Sequence, residues 1–454
     1  MHQAYIPGVA LRLSPDMGAR PREAAAAPPA RGSAAPRSCP AAGVVQERIA
    51  EDEPEFAPAL CGGASSDRLE MTIQERPIFR PLTVRDVTLR NRIVMSPMTR
   101  MGSPGGVPSE PMDAYYRRRA EHGVGLIVTE GIGVDHPTAL GAGSLGEANM
   151  PELHGDAALA RWKQIVAGVH AAGGVIFPQL WHQGPIRTDF TGPFPDLQSS
   201  RPSGLWGPQA GATTAPAPYV TEMLKPTAPM TDEDIVDVIA GFARSAANAR
   251  AVGFDGIAIH GAHGYLPDAF FWHETNRRDD RWGGASLRER ARFGAELVKA
   301  IRAEVGEAPI MFRYSQWKQQ DYDGRLAQTP AELEELLGTL ADSGVDIFDA
   351  STRYFHHPAF EGSPLTLAGW TRKITGRPTM AVGGIGLENE LKNSFAGEVG
   401  TVNNVPDVER RIEEGEFDLV GVGRSLIADP AWAEKVRAGE PFLPFHPRVL
   451  ASIA

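Results

Sequence analysis

Cysteine is nearly absent from this chain. Cys39 and Cys61 are the only two in 454 residues, and both precede residue 70. The rest of the chain therefore offers no thiol nucleophile, no iron–sulfur ligation, no cysteine metal site and no disulfide. A reducing compartment, the cytoplasm, is the simplest one expected for such a protein. Long uncharged apolar runs are also missing, so no segment is expected to span a bilayer. Basic charge is in deficit: 45 Lys and Arg stand against 56 Asp and Glu, a formal net charge of −11. That balance argues against nucleic acid or a membrane surface as a partner. A glycine-rich dinucleotide fingerprint is lacking too. GVGLIVTEGIG from Gly123 comes near, but its glycines flank a strand rather than opening a helix.

What remains is 42% hydrophobic and 22% charged, enough for a full globular core. Residues 1–70 stand apart. They are rich in Ala, Pro, Gly, Ser and Arg, show little periodicity, and carry the acidic run Glu51, Asp52, Glu53. Such a stretch cannot bury enough apolar surface to offset its ordering entropy, so a disordered segment is expected. It lacks the apolar core of a secretory signal, and its Arg-rich first part is only faintly similar to an organelle transit peptide. Met71 directly precedes the first structured pattern, which makes it a candidate for the true start of the protein.

From about Pro77 short apolar strands alternate with amphipathic helices, the pattern of a parallel sheet. A hairpin around Leu82 to Leu89 comes first. Strands are then expected at Ile93 to Met98, Leu126 to Thr129, Val175 to Leu180, Gly256 to Ile259, Ile310 to Arg313, Ile347 to Ala350, Thr379 to Val382 and Leu419 to Val422. The helices between them include Asp232 to Ala251, capped by Thr231, and one continuous helix from Leu287 to Glu304. Such a series predicts a (β/α)8 TIM barrel, residues 71–454, behind a short hairpin lid. A doubly wound open sheet is the alternative, and the missing fingerprint counts against it. Gln183 to Pro229 and Gly383 to Val405 are long loops, which usually serve function.

In a parallel barrel the chemistry gathers at the C-terminal ends of the strands. Here those ends carry Ser96-Pro97-Met98-Thr99, then Gly131, then Gln179, then His260, His263 and Tyr265, then Arg313. The last two strands end in Gly383-Gly384 and Gly423-Arg424, where barrels usually seat a phosphate. Each is a weak signal alone. Gln179 by itself reads as a buried amide, and Arg424 as a surface ion pair. Two histidines three residues apart also suit zinc, but no third ligand is clearly placed.

Taken together, the motifs resemble the old yellow enzyme family of FMN-dependent ene reductases. The resemblance rests on NRIVMSPMTR from Asn91 and on IAIHGAHGYLPDAFFWHETNRRDDRWGG from Ile257. It rests also on DASTRYFHHPAFEGSPLTLAGW from Asp349 and VGVGRSLIADP from Val420. It covers about Arg76 to Glu440. It implies non-covalent FMN, with Ser96, Pro97, Met98 and Thr99 along the ring edge and Gly131 allowing close approach of the backbone. Gln179 would meet the pyrimidine end and Arg313 the N1/O2 edge, where charge collects on reduction. Gly383, Gly384, Gly423 and Arg424 would hold the phosphate. His260 and His263 would grip a substrate carbonyl oxygen, and Tyr265 would donate a proton to the α-carbon. NAD(P)H and an enone, enal or nitroalkene would use one cavity in turn, a ping-pong cycle, because no second domain is present for the nicotinamide. Thr99 stands where some relatives carry Cys, Met101 where some carry Tyr, and His263 where some carry Asn. An amine or alcohol dehydrogenase on the same barrel is an alternative. So is a flavin-free lyase or aldolase, whose nearest Schiff-base lysine, Lys318, is expected in a polar loop.

Overall fold

The computed structural model describes residues 76–143, 147–389 and 400–453. The N-terminal segment expected to be disordered lies outside the described residues, as does most of the run beginning LENELKNSF at Leu387.

A two-stranded antiparallel hairpin, β1 (Leu82–Val84) and β2 (Val87–Leu89), precedes the barrel. The barrel strands are β3 (Ile93–Met95), β4 (Leu126–Gly133), β5 (Val175–Trp181) and β6 (Ile257–His260). They continue with β7 (Ile310–Ser315), β8 (Ile347–Ser351), β9 (Thr379–Val382) and β10 (Leu419–Val422). They pair in parallel in sequence order, and β10 closes onto β3. This is the (β/α)8 barrel expected from the alternation of strands and helices. Several strands run further at their C-terminal ends than their apolar cores suggest. β4 reaches Gly133 through an irregularity between Val128 and Gly131, and β7 reaches Ser315.

Two apolar clusters account for the layers. Val94, Leu126, Val128, Phe177, Ala258, Met311, Ile347 and Met380 fill the barrel, and Val84 and Leu89 of the hairpin join them. The hairpin, which leads directly into β3, therefore plugs the N-terminal end. The larger cluster lies between strands and helices. It includes Ile127, Ile176, Ile257 and Ile259, which alternate with the inward residues on the same strands. With the lower end closed and the sides covered, the C-terminal mouth is left for ligands.

The helix Asp232–Val252 starts as expected, in a capping box between Thr231 and Asp234. The helix expected from Leu287 to Glu304 is instead two, Leu287–Arg290 and Arg292–Val305. The first turn is fixed by a capping box between Ser286 and Glu289 and by the Arg290 guanidinium, which donates to the carbonyls of Phe271, Gly284 and Ala285. Those anchors set the direction of the first turn independently of the helix that follows. Among the described residues no helix is long and apolar enough to cross a membrane.

Candidate active site

Register brings the strand-end residues into shared layers. Gly131 pairs with Gln179 across β4 and β5. His260 pairs with Arg313 across β6 and β7, and Arg313 pairs with Asp349 across β7 and β8. All lie toward the same mouth, because every strand of the barrel points the same way.

His260, His263 and Tyr265 converge. The His260 ring centroid lies 5.2 Å from that of His263 and 4.7 Å from that of Tyr265, both edge-on. His260 is the last residue of β6, not the first beyond it. His263 sits in a left-handed turn, φ 64°, followed by Gly264 at φ 86°. That turn returns Tyr265 to the same wall and opens the short helix Leu266–Phe271. The indole of Trp181 walls the group, stacked toward His260 at 6.5 Å and edge-on to Tyr265 at 5.1 Å.

Burial decides the protonation of these groups. Removal from water holds both imidazoles well below their ordinary range, and Arg313 adds to the effect on each. They are therefore neutral near pH 7, each with one N–H to donate. Burial also raises the Tyr265 phenol well above its usual value, so it keeps its proton. His263 Nε2 lies 2.9 Å from the Ser351 hydroxyl. His260 Nδ1 is buried without a hydrogen-bond partner.

Arg313 is flanked on the β8 side. Its Nη2 donates to Ser351 Oγ at 3.1 Å, and its Nε lies 3.5 Å from Asp349. Burial pushes the Asp349 carboxyl up to about 6 despite the pull of that guanidinium. Sequence reasoning gave no role to Asp349, Ser351 or Trp181. The signal was a polar pair two residues apart at the end of an apolar strand, the spacing that puts both side chains on one face. Glu130, beside Gly131, was also passed over. Its Oε2 accepts from the backbone N–H of Arg100 at 2.7 Å and of Met101 at 3.3 Å, and burial pushes it up to about 7.

The remaining expected residues form two further groups. Ser96 is buried, with its N–H on the Val422 carbonyl, while Pro97 and Met98 are half-buried and Thr99 is exposed. A side chain at Gly131 would strike the Trp181 ring at 2.8 Å, so this glycine is required by a neighbouring indole as well as by any ligand. Gly383 and Gly384 both have positive φ, at 134° and 71°. They approach Gly423 and Arg424 through Ser425, whose hydroxyl donates to Ile385 O at 2.8 Å. Arg424 opens the helix Arg424–Ala428 and donates to Asn389 O at 2.9 Å. The Lys318 side chain is not in a polar, solvated setting. It is fully buried and paired with Asp268 at 2.9 Å. A lysine held in that ion pair is poorly placed as a Schiff-base nucleophile.

A family model described as NADH:flavin oxidoreductase / NADH oxidase matches residues 77–442. Chanoclavine-I aldehyde reductase fgaOx3 of Penicillium roqueforti is 33% identical over 371 residues, 81% of this chain and 91% of that protein. An NADH oxidase of Thermoanaerobacter brockii is 33% identical over 372 residues, 80% of this chain; the chain spans 51% of that protein, about half. Among solved structures, morphinone reductase in complex with tetrahydroNAD superposes with a TM-score of 0.66 at 27% identity, covering 82% of this chain and 93% of that one.

Proposed function

The chain belongs to the NADH:flavin oxidoreductase / NADH oxidase family, the old yellow enzymes, and from that premise we propose that it uses NAD(P)H to reduce the activated C=C bond of α,β-unsaturated carbonyl compounds. The barrel from residue 71 onward is the proposed FMN-binding domain, and the cytoplasm the proposed location.

The residues at the mouth fit FMN, the family's flavin. Ser96 Oγ and Gln179 Nε2 are buried without a hydrogen-bond partner in the protein, as expected of groups that face a polar ligand, and Arg313 Nε has only the Asp349 carboxylate at 3.5 Å. Gln179 would hold the pyrimidine edge and Arg313 the N1/O2 edge. Ser96, Pro97, Met98 and Thr99 would line the ring, Gly131 would admit it, and Gly383, Gly384, Gly423 and Arg424 would hold the phosphate. When bound, FMN supplies a two-electron carrier that accepts hydride from the nicotinamide and gives hydride to the acceptor.

The protein's own groups do the rest. Neutral His260 and His263 donate hydrogen bonds to the substrate carbonyl oxygen and stabilise the enolate charge that develops there. Tyr265, which keeps its proton, delivers it to the α-carbon as general acid. Trp181 excludes water from the same wall. A single mouth serves both reactants, so nicotinamide and acceptor occupy it in turn and turnover is ping-pong.

The observation that carries this reading is the meeting of His260, His263 and Tyr265 beside Arg313 at one mouth. Anaerobic stopped-flow absorbance of the yellow holoenzyme is the test, first with NADH or NADPH and then with enones, enals and nitroalkenes. Bleaching by a nicotinamide and recovery of colour on adding an enone support the assignment. Bleaching with no recovery by any activated alkene defeats it.

A further inference from the structure

The turn that aims His263 is held at all four of its backbone polar groups. The His263 N–H donates to Ser315 Oγ at 3.0 Å, and the His263 carbonyl accepts from the Gln319 N–H at 3.2 Å. The Gly264 N–H donates to Asp268 Oδ2 at 2.7 Å, and the Gly264 carbonyl accepts from Gln320 Nε2 at 3.2 Å. Three of the four partners come from the segment 315–320, which starts at the last residue of β7, and the fourth is Asp268. The link between them is an ion pair. Lys318 Nζ donates to Asp268 Oδ1 at 2.9 Å and to the Ser315 carbonyl at 3.0 Å. Both side chains of the pair are 0% exposed.

The turn needs this support. His263 has φ 64°, a region uncommon for any residue with a Cβ, although His, Asn and Asp enter it more readily than the rest. A Cβ at Gly264 would come within 1.8 Å of Gln320 Oε1, so the segment packs directly on the glycine. Without a fixed partner for the Gly264 N–H, relaxation of His263 toward negative φ is opposed only by the contacts to Ser315, Gln319 and Gln320, all on one segment, and by the Ser351 hydroxyl on the imidazole. That relaxation would swing its imidazole and Tyr265, which caps the start of the helix Leu266–Phe271. The pair is also dispensable for stability in principle. Replacing a buried ion pair by apolar side chains of similar volume is often neutral, while removing one partner alone leaves an uncompensated buried charge.

We propose that Asp268 and Lys318 are positioning residues, a buried ionic clasp that fixes the His263–Gly264 turn and thereby sets the aim of His263 and Tyr265 on the bound carbonyl. The proposal rests on the functional reading above. Neither residue touches the acceptor. Asp268 acts through the Gly264 N–H, and Lys318 acts by holding Asp268 and the Ser315 carbonyl in place.

The test uses full-length, FMN-loaded protein with two doubly uncharged variants. Asp268→Asn with Lys318→Met removes both charges but keeps an acceptor for the Gly264 N–H. Asp268→Leu with Lys318→Met removes the acceptor as well. Three readouts are taken: affinity for 4-hydroxybenzaldehyde by its absorbance change with the flavin, amide exchange over residues 262–266, and the thermal midpoint. The expected result for the Leu variant is at least tenfold weaker phenol binding and at least tenfold faster exchange over 262–266. Its midpoint should stay within a few degrees of wild type. The Asn variant keeps the acceptor but loses the ammonium that holds it, so it should fall between wild type and the Leu variant in both properties, and wild-type behaviour in both would remove Lys318 from the clasp. Unchanged exchange in the Leu variant overturns the clasp. Faster exchange with unchanged phenol affinity overturns its positioning role. Failure of the wild type itself to bind the phenol sinks the functional reading instead, and the exchange measurement then still decides whether the clasp holds the turn.

Discussion

At the scale of single residues, the roles proposed for Tyr265 and Arg313 are separable. Tyr265 keeps its proton because it is buried, and it stands against His260 and Trp181. Tyr265→Phe should slow enone turnover by roughly 10²-fold or more, the usual worth of a placed general acid. Bleaching of the holoenzyme by NADPH should stay near the wild-type rate, and a parallel fall in both half-reactions would show that Tyr265 is not the proton donor. Arg313 contributes charge instead. Its guanidinium lies between His260 on one strand and Asp349 on the other. Arg313→Met would leave the buried Asp349 carboxyl without its cation and any flavin without its N1/O2 partner. FMN should dissociate at least tenfold more readily, measured by flavin fluorescence in the filtrate. Retention at the wild-type level would remove Arg313 from the cofactor site.

At the scale of elements, local signals placed most of the helices and missed what longer-range contacts impose. Thr231 is a good example of a local signal that holds. Its hydroxyl accepts from the Asp234 N–H at 3.1 Å, and Asp234 answers the Thr231 N–H at 2.8 Å. Thr231→Ala should cost about 1 kcal/mol of stability with FMN content unchanged, read from the shift in thermal midpoint. The break at Ala291 was not visible in the same way, because Arg290 is anchored to the carbonyl of Phe271, at the end of another helix, and to those of Gly284 and Ala285 just before its own helix. Strand ends show the same limit. The apolar runs marked where β4 and β7 begin, but their last residues are polar or glycine. Only pairing with the next strand extends them.

At the scale of the whole molecule, buried acids give the folded state a pH dependence with a definite sign. Glu130 is raised by burial to about 7 from an ordinary value near 4.5. Arg100, Tyr115 and Tyr116 are the ionisable groups around it. A folded-state value above the unfolded one means that the protonated form is favoured by folding. Its contribution is complete below about pH 4.5 and is lost as pH rises through about 7. Glu130→Gln should therefore gain stability relative to wild type between pH 5 and pH 8. Thermal midpoints of both proteins across that window check the sign, and a difference that is flat or reversed would place the Glu130 carboxyl at an ordinary value. Buried histidines such as His182, held neutral, act in the opposite direction, so only the difference between the two proteins isolates Glu130.

The sequence by itself determined the architecture and pointed to the side chains proposed to react. Alternating apolar strands and amphipathic helices admit few folds. Residues at strand ends must face one mouth once the sheet is parallel and closed, so His260, His263, Tyr265 and Arg313 could be grouped without coordinates. The tertiary structure alone decided which of them touch, what burial does to their protons, and what supports them. Trp181, Asp349, Ser351 and the Asp268–Lys318 clasp act through contacts between segments far apart in the chain. Desolvation and through-space pairing depend on the packed arrangement, and no local pattern of residue types encodes them.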